Sequence, residues 1–216
     1  MLISSDAKAT VKIGELSRDG ESRVLVKALD HDFKPDGTAT PVGLLLPAYD
    51  ELSIAICTSK VTSDCIVDTF EHMWIENKDR FPNVDTLVFL QDNGPENSGR
   101  RSQFLCRMVQ FVEQHKINVR LAYYPPYHSK YNPVERCWGI LENHWNGALL
   151  DTIEAVVGYA QSMTWKQEHP VVRLVTQVYQ LGVRLSKKAM KVIESKLSRL
   201  PSLPSWFIDI HYKVVV

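Results

Sequence analysis

Residues 86–90 form a short, mainly apolar run that an Asp-Asn-Gly-Pro turn at residues 92–95 follows almost at once. A strand without polar alternation is typical of a sheet covered on both faces, as in α/β proteins. Because the strand ends where the turn begins, Asp92 is predicted to lie at the edge of the sheet, where backbone polar groups are exposed to solvent. A carboxylate in that position suits metal-dependent phosphoryl transfer.

The other periodic segments predict an α/β layer fold. We expect further strands at residues 6–13, 23–29, 53–57 and 119–123, and helices at 63–78 (capped by Ser63), at 101–115 and from Asn132-Pro133 onward. Residues 44–46 compete with 53–57 for the third strand. The order β-β-β-α-β-α-β-α predicts a mixed five-stranded sheet that opens with an antiparallel meander and continues through crossover helices.

The last part of the chain carries a different pattern. From about residue 151 the sequence predicts only helix, with residues 171–197 as the long element and Gly182 as a possible break. We therefore expect an α/β domain at residues 1–150 and a helical C-terminal extension at residues 151–216.

Composition restricts the partners and the location. Lys and Arg total 25, as do Asp and Glu, so affinity for nucleic acid requires local basic patches rather than an overall positive field. The four cysteines lack zinc-ribbon spacing and fit reduced intracellular thiols. The sequence has no signal-peptide pattern and no run of roughly 20 apolar residues. A cytoplasmic location is therefore expected.

Three carboxylates are candidates for one site: Asp6 in the first strand, Asp92 after the strand at 86–90, and Glu135 in the first turn of a helix. Each has a simpler local explanation. Asp92 suits an Asx turn, Glu135 has capping-box spacing from Asn132, and Asp6 alone would be an ordinary edge-strand acid. Three carboxylates within ~4 Å would repel by about 4 kcal/mol per pair, which divalent cations can offset, and hard oxygen donors favour Mg²⁺.

A zinc site is the competing metal interpretation. It would combine His128, Cys137 and His144, but their spacing is irregular and buried packing explains the helix more simply. Trp138 and Trp145 lie on the same predicted face and are expected to be core residues that anchor Glu135.

Several longer segments resemble a known family; they are residues 5–9, 13–14, 28–33, 91–97, 123–138 and 139–147. Over most of the chain they resemble the catalytic domain of DDE transposases, in the bacterial insertion-sequence family called Rhodopirellula-type, a relative of the mariner-like enzymes. The resemblance implies a ribonuclease-H-like fold and metal-dependent cleavage and strand transfer of DNA.

The resemblance also implies roles for particular residues. Asp6, Asp92 and Glu135 would be the catalytic triad and the ligands of two Mg²⁺ ions, for which Mn²⁺ may substitute. Asp30 and Asp32 remain alternatives to Asp6 as the first ligand. The implied partners are transposon-end and target DNA, bound by a homodimer or higher oligomer in the bacterial nucleoid.

Polar and basic residues near the candidate acids suggest a rim that contacts phosphates; they are Arg100, Arg101, His128, Ser129, Lys130 and Arg136. A solvated surface explains the same residues equally well.

One departure from the family concerns the N-terminus. The chain begins almost at the first catalytic strand, so a helix-turn-helix module that reads transposon ends is expected to be absent. This leaves two alternative functions, a ribonuclease-H-like nuclease without strand joining and an inactive DNA- or protein-binding remnant of a transposase.

Overall fold

The computed structural model describes residues 1–16, 34–125 and 131–212. In these ranges the strands are β1 (Leu2–Ala7), β2 (Val11–Ile13), β3 (Gly37–Leu46), β4 (Glu51–Cys57), β5 (Thr86–Gln91), β6 (Asn118–Tyr123), β7 (Val171–Val175), β8 (Leu197–Arg199) and β9 (Phe207–Ile210). The helices are α1 (Ser63–Asn77), α2 (Ser102–His115), α3 (Pro133–Trp145), α4 (Ile153–Ser162) and α5 (Lys187–Glu194), and a short 3₁₀ turn at Lys78–Arg80 follows α1.

The strands form one mixed sheet in the order β7-β4-β3-β1-β5-β6-β9-β8, with β2 paired to β3. Strands β1, β5 and β6 run parallel, whereas β3 is antiparallel to both β1 and β4. Helices cover the sheet, as expected for parallel strands joined by crossovers. The predicted mixed α/β fold is therefore confirmed, with a larger sheet than five strands.

Two buried clusters lie on opposite faces of this sheet. Successive side chains of a strand point to opposite faces, so neighbouring residues of β3 belong to different clusters. Leu44 packs with α1 and α2, and Leu45 packs with α3 and α4. The stacked rings of Phe70 and Phe89, 4.3 Å apart, join α1 to the sheet. Aromatic pairs of this kind add to the burial energy that holds helix and sheet together.

The N-terminal strands differ from the predicted boundaries. The strand expected at residues 6–13 is divided into β1 and β2, so Asp6 lies near the end of its strand rather than at the start. Both candidates for the third strand are real, since they form the antiparallel pair β3 and β4. The strand predicted at 23–29 falls outside the described residues. Thr62, not Ser63, caps α1 and accepts a hydrogen bond from the Cys65 amide.

The expected helical C-terminal extension is wrong. Residues 171–175 form strand β7, which pairs with β4, and only Lys187–Glu194 is helical within the predicted long element. Strands β8 and β9 extend the other edge of the sheet. Short apolar runs fit a strand or a helix equally well, and here pairing partners distant in sequence select the strand. None of the described helices has the length and apolarity to cross a membrane.

Candidate active site

The pairing of β1 with β5 brings two of the predicted acids to one edge of the sheet. The strands are parallel, with Ser4 opposite Leu90, so Asp6 and Asp92 each lie two residues beyond a paired position. Both line a cavity of about 250 Å³. The ends of parallel strands meet at the same edge, which is why residues 86 apart in the chain face a common space.

The Asp92 carboxylate is held by a side chain of the loop that follows it. Its Oδ1 accepts a hydrogen bond from Asn97 Nδ2 at 3.0 Å, while Asn93 Oδ1 accepts from the Gly99 amide at 3.2 Å. Asn93 therefore fastens the loop that follows the strand, and the Asp92 carboxylate is oriented by a side-chain amide.

The loop that follows Asp92 is fastened to the elements around it. Glu96 accepts from the amide and the hydroxyl of Ser63 at the start of α1, and forms a 3.1 Å ion pair with Arg101. The buried Tyr123 hydroxyl donates to the Asn97 carbonyl at 2.9 Å, and burial raises the pKa of this tyrosine, so it stays a donor. These contacts hold the segment that carries Asp92 in one position.

A buried polar network attaches α3 to β1. Asn132 Nδ2 donates to the Ser5 carbonyl at 2.9 Å, Ser4 Oγ donates to Asn132 Oδ1, and the Val134 amide donates to Ser4 Oγ at 3.0 Å. The Asn132 side chain therefore does not cap its own helix. Within the described part of the chain Glu135 forms no capping-box bond, which leaves its carboxylate for another role.

Trp138 connects α3 directly to the first predicted acid. Its indole Nε1 donates to Asp6 Oδ2 at 2.8 Å. The indole lies against Gly43, the residue that pairs with Asp6 on β3, and a Cβ built on Gly43 would come within 2.6 Å of the ring. The expectation that Trp138 is a core residue is correct, but its bond to Asp6 is a contact that sequence reasoning missed.

The charges of the other two predicted acids act on Asp6. The pKa of Asp6 is raised from 3.8 to about 7, mainly because burial disfavours the charged carboxylate, and the nearby charges of Asp92 and Glu135 raise it further. The hydrogen bond from Trp138 acts in the opposite direction. Glu135 therefore lies close enough to Asp6 to repel it, although it does not belong to the cavity wall formed by Asp6 and Asp92.

Asp6→Asn should stabilise the metal-free protein in a pH-dependent way. Between about pH 3.8 and 7 the folded state holds a proton on Asp6 that the unfolded chain releases, so stability falls as pH rises through this window. Asparagine removes this dependence and can still accept from Trp138. We expect a gain of up to about 4 kcal/mol at pH 8, measured by urea unfolding in a chelator. Equal gains at pH 4 and pH 8 would contradict the assignment.

The predicted DNA-contacting residues differ in their exposure to solvent, and some lie outside the described residues. Arg100 and Arg136 are exposed, whereas Arg101 is half-buried in its ion pair with Glu96. His128, Ser129 and Lys130 lie outside the described residues, as do the alternative ligands Asp30 and Asp32.

The zinc interpretation gains no support from the described residues. Cys137 is fully buried among apolar side chains, and His144 Nε2 contacts the Ser162 hydroxyl at 2.9 Å. Within residues 1–16, 34–125 and 131–212, no group of three His, Cys, Asp or Glu side chains is arranged to hold a metal ion as it stands.

Comparison with solved structures identifies the class of fold. The Mos1 transposase paired-end complex with left transposon end matches with a TM-score of 0.52 and 10% sequence identity. The Mos1 mariner paired-end complex with Mn matches with a TM-score of 0.52 and 12% sequence identity. Each match covers 73% of this chain and 46% of the other, so this chain spans less than half of those proteins. At such low identity the likeness concerns the fold, which is ribonuclease-H-like.

The sequence comparison then gives the family. Residues 1–212 match the family described as Rhodopirellula transposase DDE domain. The chain belongs to this family, as the resemblance of its motifs predicted. Comparison with curated proteins finds no match.

Proposed function

We propose that this chain is the catalytic domain of an insertion-sequence transposase that cuts and joins DNA with divalent metal ions. The observation that carries the proposal is the register of β1 and β5, which brings Asp6 and Asp92 to one cavity. Glu135, whose charge helps to raise the pKa of Asp6, would be the third member of the proposed DDE triad. Family membership supports the same reaction class.

The donor set is chemically suited to Mg²⁺ or Mn²⁺. Asp6 is repelled by the charges of Asp92 and Glu135, and the three carboxylates together would supply hard oxygen ligands and negative charge that a divalent cation neutralises. Two such ions, when bound, activate a water or 3′-hydroxyl and stabilise the leaving oxygen at phosphorus. One of the structural neighbours is a Mos1 mariner paired-end complex with Mn.

The surrounding residues would orient the proposed ligands. Trp138 orients the Asp6 carboxylate and Asn97 orients the Asp92 carboxylate, and we propose that these two carboxylates would hold the cation. Glu135, on the first turn of α3, would complete the site beside the attacking or leaving group. Fixing the ligands before substrate arrives lowers the reorganisation that the reaction requires.

DNA is the proposed partner. The exposed side chains of Arg100 and Arg136 are suited to phosphate contacts, and His128, Ser129, Lys130 and Arg101 remain proposed contacts on grounds of sequence. Both structural neighbours are paired-end complexes, and one of them is a complex with the left transposon end. We propose that this chain likewise assembles on DNA as a homodimer or higher oligomer, in association with the bacterial nucleoid.

A cleavage and joining assay tests this function. The protein is mixed with Mg²⁺ or Mn²⁺, a labelled duplex carrying the terminal repeats that flank its gene, and a supercoiled target plasmid. We expect cut ends and labelled plasmid, and neither in the presence of a chelator. Fragments without labelled plasmid would indicate a nuclease, and an uncut duplex with both metals would contradict the proposal.

A further inference from the structure

The sulfur atoms of Cys57 and Cys65 are 3.2 Å apart inside the protein. Cys57 ends β4 and Cys65 lies in the first turn of α1, with exposed fractions of 1% and 0%. Both are free thiols. The two side chains are therefore in contact without being joined, and the proposed metal chemistry uses neither.

The thiol pair lies beside the candidate active site. It packs in a small apolar cluster with Val42 and Val61, and these two valines also line the cavity that contains Asp6. Val42 and Val61 are therefore shared by the cavity wall and the thiol cluster, and a small oxidant would approach the sulfurs from this cavity. A bulky thiol reagent would be excluded by the same packing.

The two sulfurs are not equivalent. The contact between the two thiols lowers the pKa of Cys65 and raises that of Cys57, while burial and then the nearby charge of Asp68 oppose the shift at Cys65. The start of α1 also favours negative charge on Cys65. This position at the start of the helix makes Cys65 the better nucleophile, and Cys57 would be the second thiol to react.

We propose that Cys57 and Cys65 form an oxidative modification site, at which a hydroperoxide produces a reversible intramolecular disulfide. The Cys65 thiolate attacks hydrogen peroxide, the O–O bond breaks, and sulfenic acid and one water form after proton transfer. Cys57 then attacks the sulfenic sulfur, the S–O bond breaks, and a second water leaves with the Cys57 proton. The sum is two thiols and one peroxide giving one disulfide and two waters.

The geometry favours the second step over further oxidation. A sulfur 3.2 Å from its target is already at a near-attack distance, so the reaction is intramolecular and needs only a small approach of the two side chains. The new bond would link the end of β4 to the start of α1 and close the segment at residues 58–64, which includes Val61 of the cavity wall. Closing a loop restricts the unfolded chain and stabilises the fold.

Peptide mapping after peroxide treatment tests the site. The whole chain is treated with equimolar hydrogen peroxide, denatured, alkylated and digested. We expect free thiols to fall from four to two, a cross-linked peptide containing Cys57 and Cys65, and recovery of four thiols with dithiothreitol. The oxidised protein should melt about 5 °C higher than the reduced protein.

Cys106 provides the matched control, because it is only partly buried and lies outside the pair. Cys106→Ser should keep the cross-link, and Cys65→Ser should lose both the cross-link and the melting shift. Oxidation of Cys106 before the pair, sulfinic acid at Cys65 without a cross-link, or four thiols surviving excess peroxide would each overturn the proposal. If Cys65→Ser does not fold, the wild-type peptide map decides the matter alone.

Discussion

Asp92→Asn should lower metal-dependent DNA cleavage by roughly a thousand-fold or more while leaving the fold intact. The amide has the same shape and can still accept from Asn97, so the loop keeps its structure. It supplies no negative charge, however, and a divalent cation bound largely by carboxylates loses much of its attraction. Single-turnover cleavage and calorimetric titration with Mn²⁺ measure the two effects separately.

The matched control for this substitution is Asp50→Asn. Asp50 is exposed in the turn between β3 and β4, at the end of the sheet opposite Asp6, and its φ of 54° is one that asparagine tolerates well. Glu135→Gln should resemble Asp92→Asn, whereas Asp50→Asn should cleave at the wild-type rate. Wild-type Mn²⁺ affinity and cleavage in Asp92→Asn would remove Asp92 from the proposed triad.

Gly43→Ala should destabilise the protein by about 3 kcal/mol or more and disturb the site at the same time. The new Cβ would lie 2.6 Å from the Trp138 ring and 2.9 Å from a Val134 methyl group, so α3 must move away from β3. Overpacking of this kind typically costs about 1–3 kcal/mol, and here the loss of the bond from Trp138 to Asp6 adds to it. Thermal or urea unfolding measures the loss.

Gly139→Ala is the control for Gly43→Ala. Gly139 lies on the exposed side of α3, and a Cβ there meets no atom within 4 Å. Because alanine favours helix by about 1 kcal/mol over glycine, this variant should be slightly more stable than the wild type. If both alanine variants have wild-type stability, the close approach of Trp138 to β3 is not a structural requirement.

Short sequence patterns predicted the positions of Asp92 and Glu135, because these positions depend on residues next to them in the chain. A strand followed at once by a turn located Asp92, and an Asn-Pro pair located the start of α3 and with it Glu135. These features follow from backbone restrictions within a few residues, so the sequence alone is sufficient. The motifs also predicted the family, which the match over residues 1–212 confirms.

The contacts between the site elements could not be predicted in the same way. Sequence reasoning did not predict the bonds of Ser4 to Asn132 and of Trp138 to Asp6, because the partners lie 128 and 132 residues apart. A serine within a strand and an asparagine before a proline are a weak sign of a buried polar pair, visible only when the strand and helix are known to meet.

The amino-acid sequence by itself determined the family, the mixed α/β class, the turn at Asp92 and the helix that carries Glu135. Only the tertiary structure decided where β1 ends, how it is aligned with β5, and that residues 171–175 form a strand rather than a helix. The physical reason is that turns and helix starts are fixed by local backbone preferences, whereas strand ends and register are fixed by partners distant in sequence.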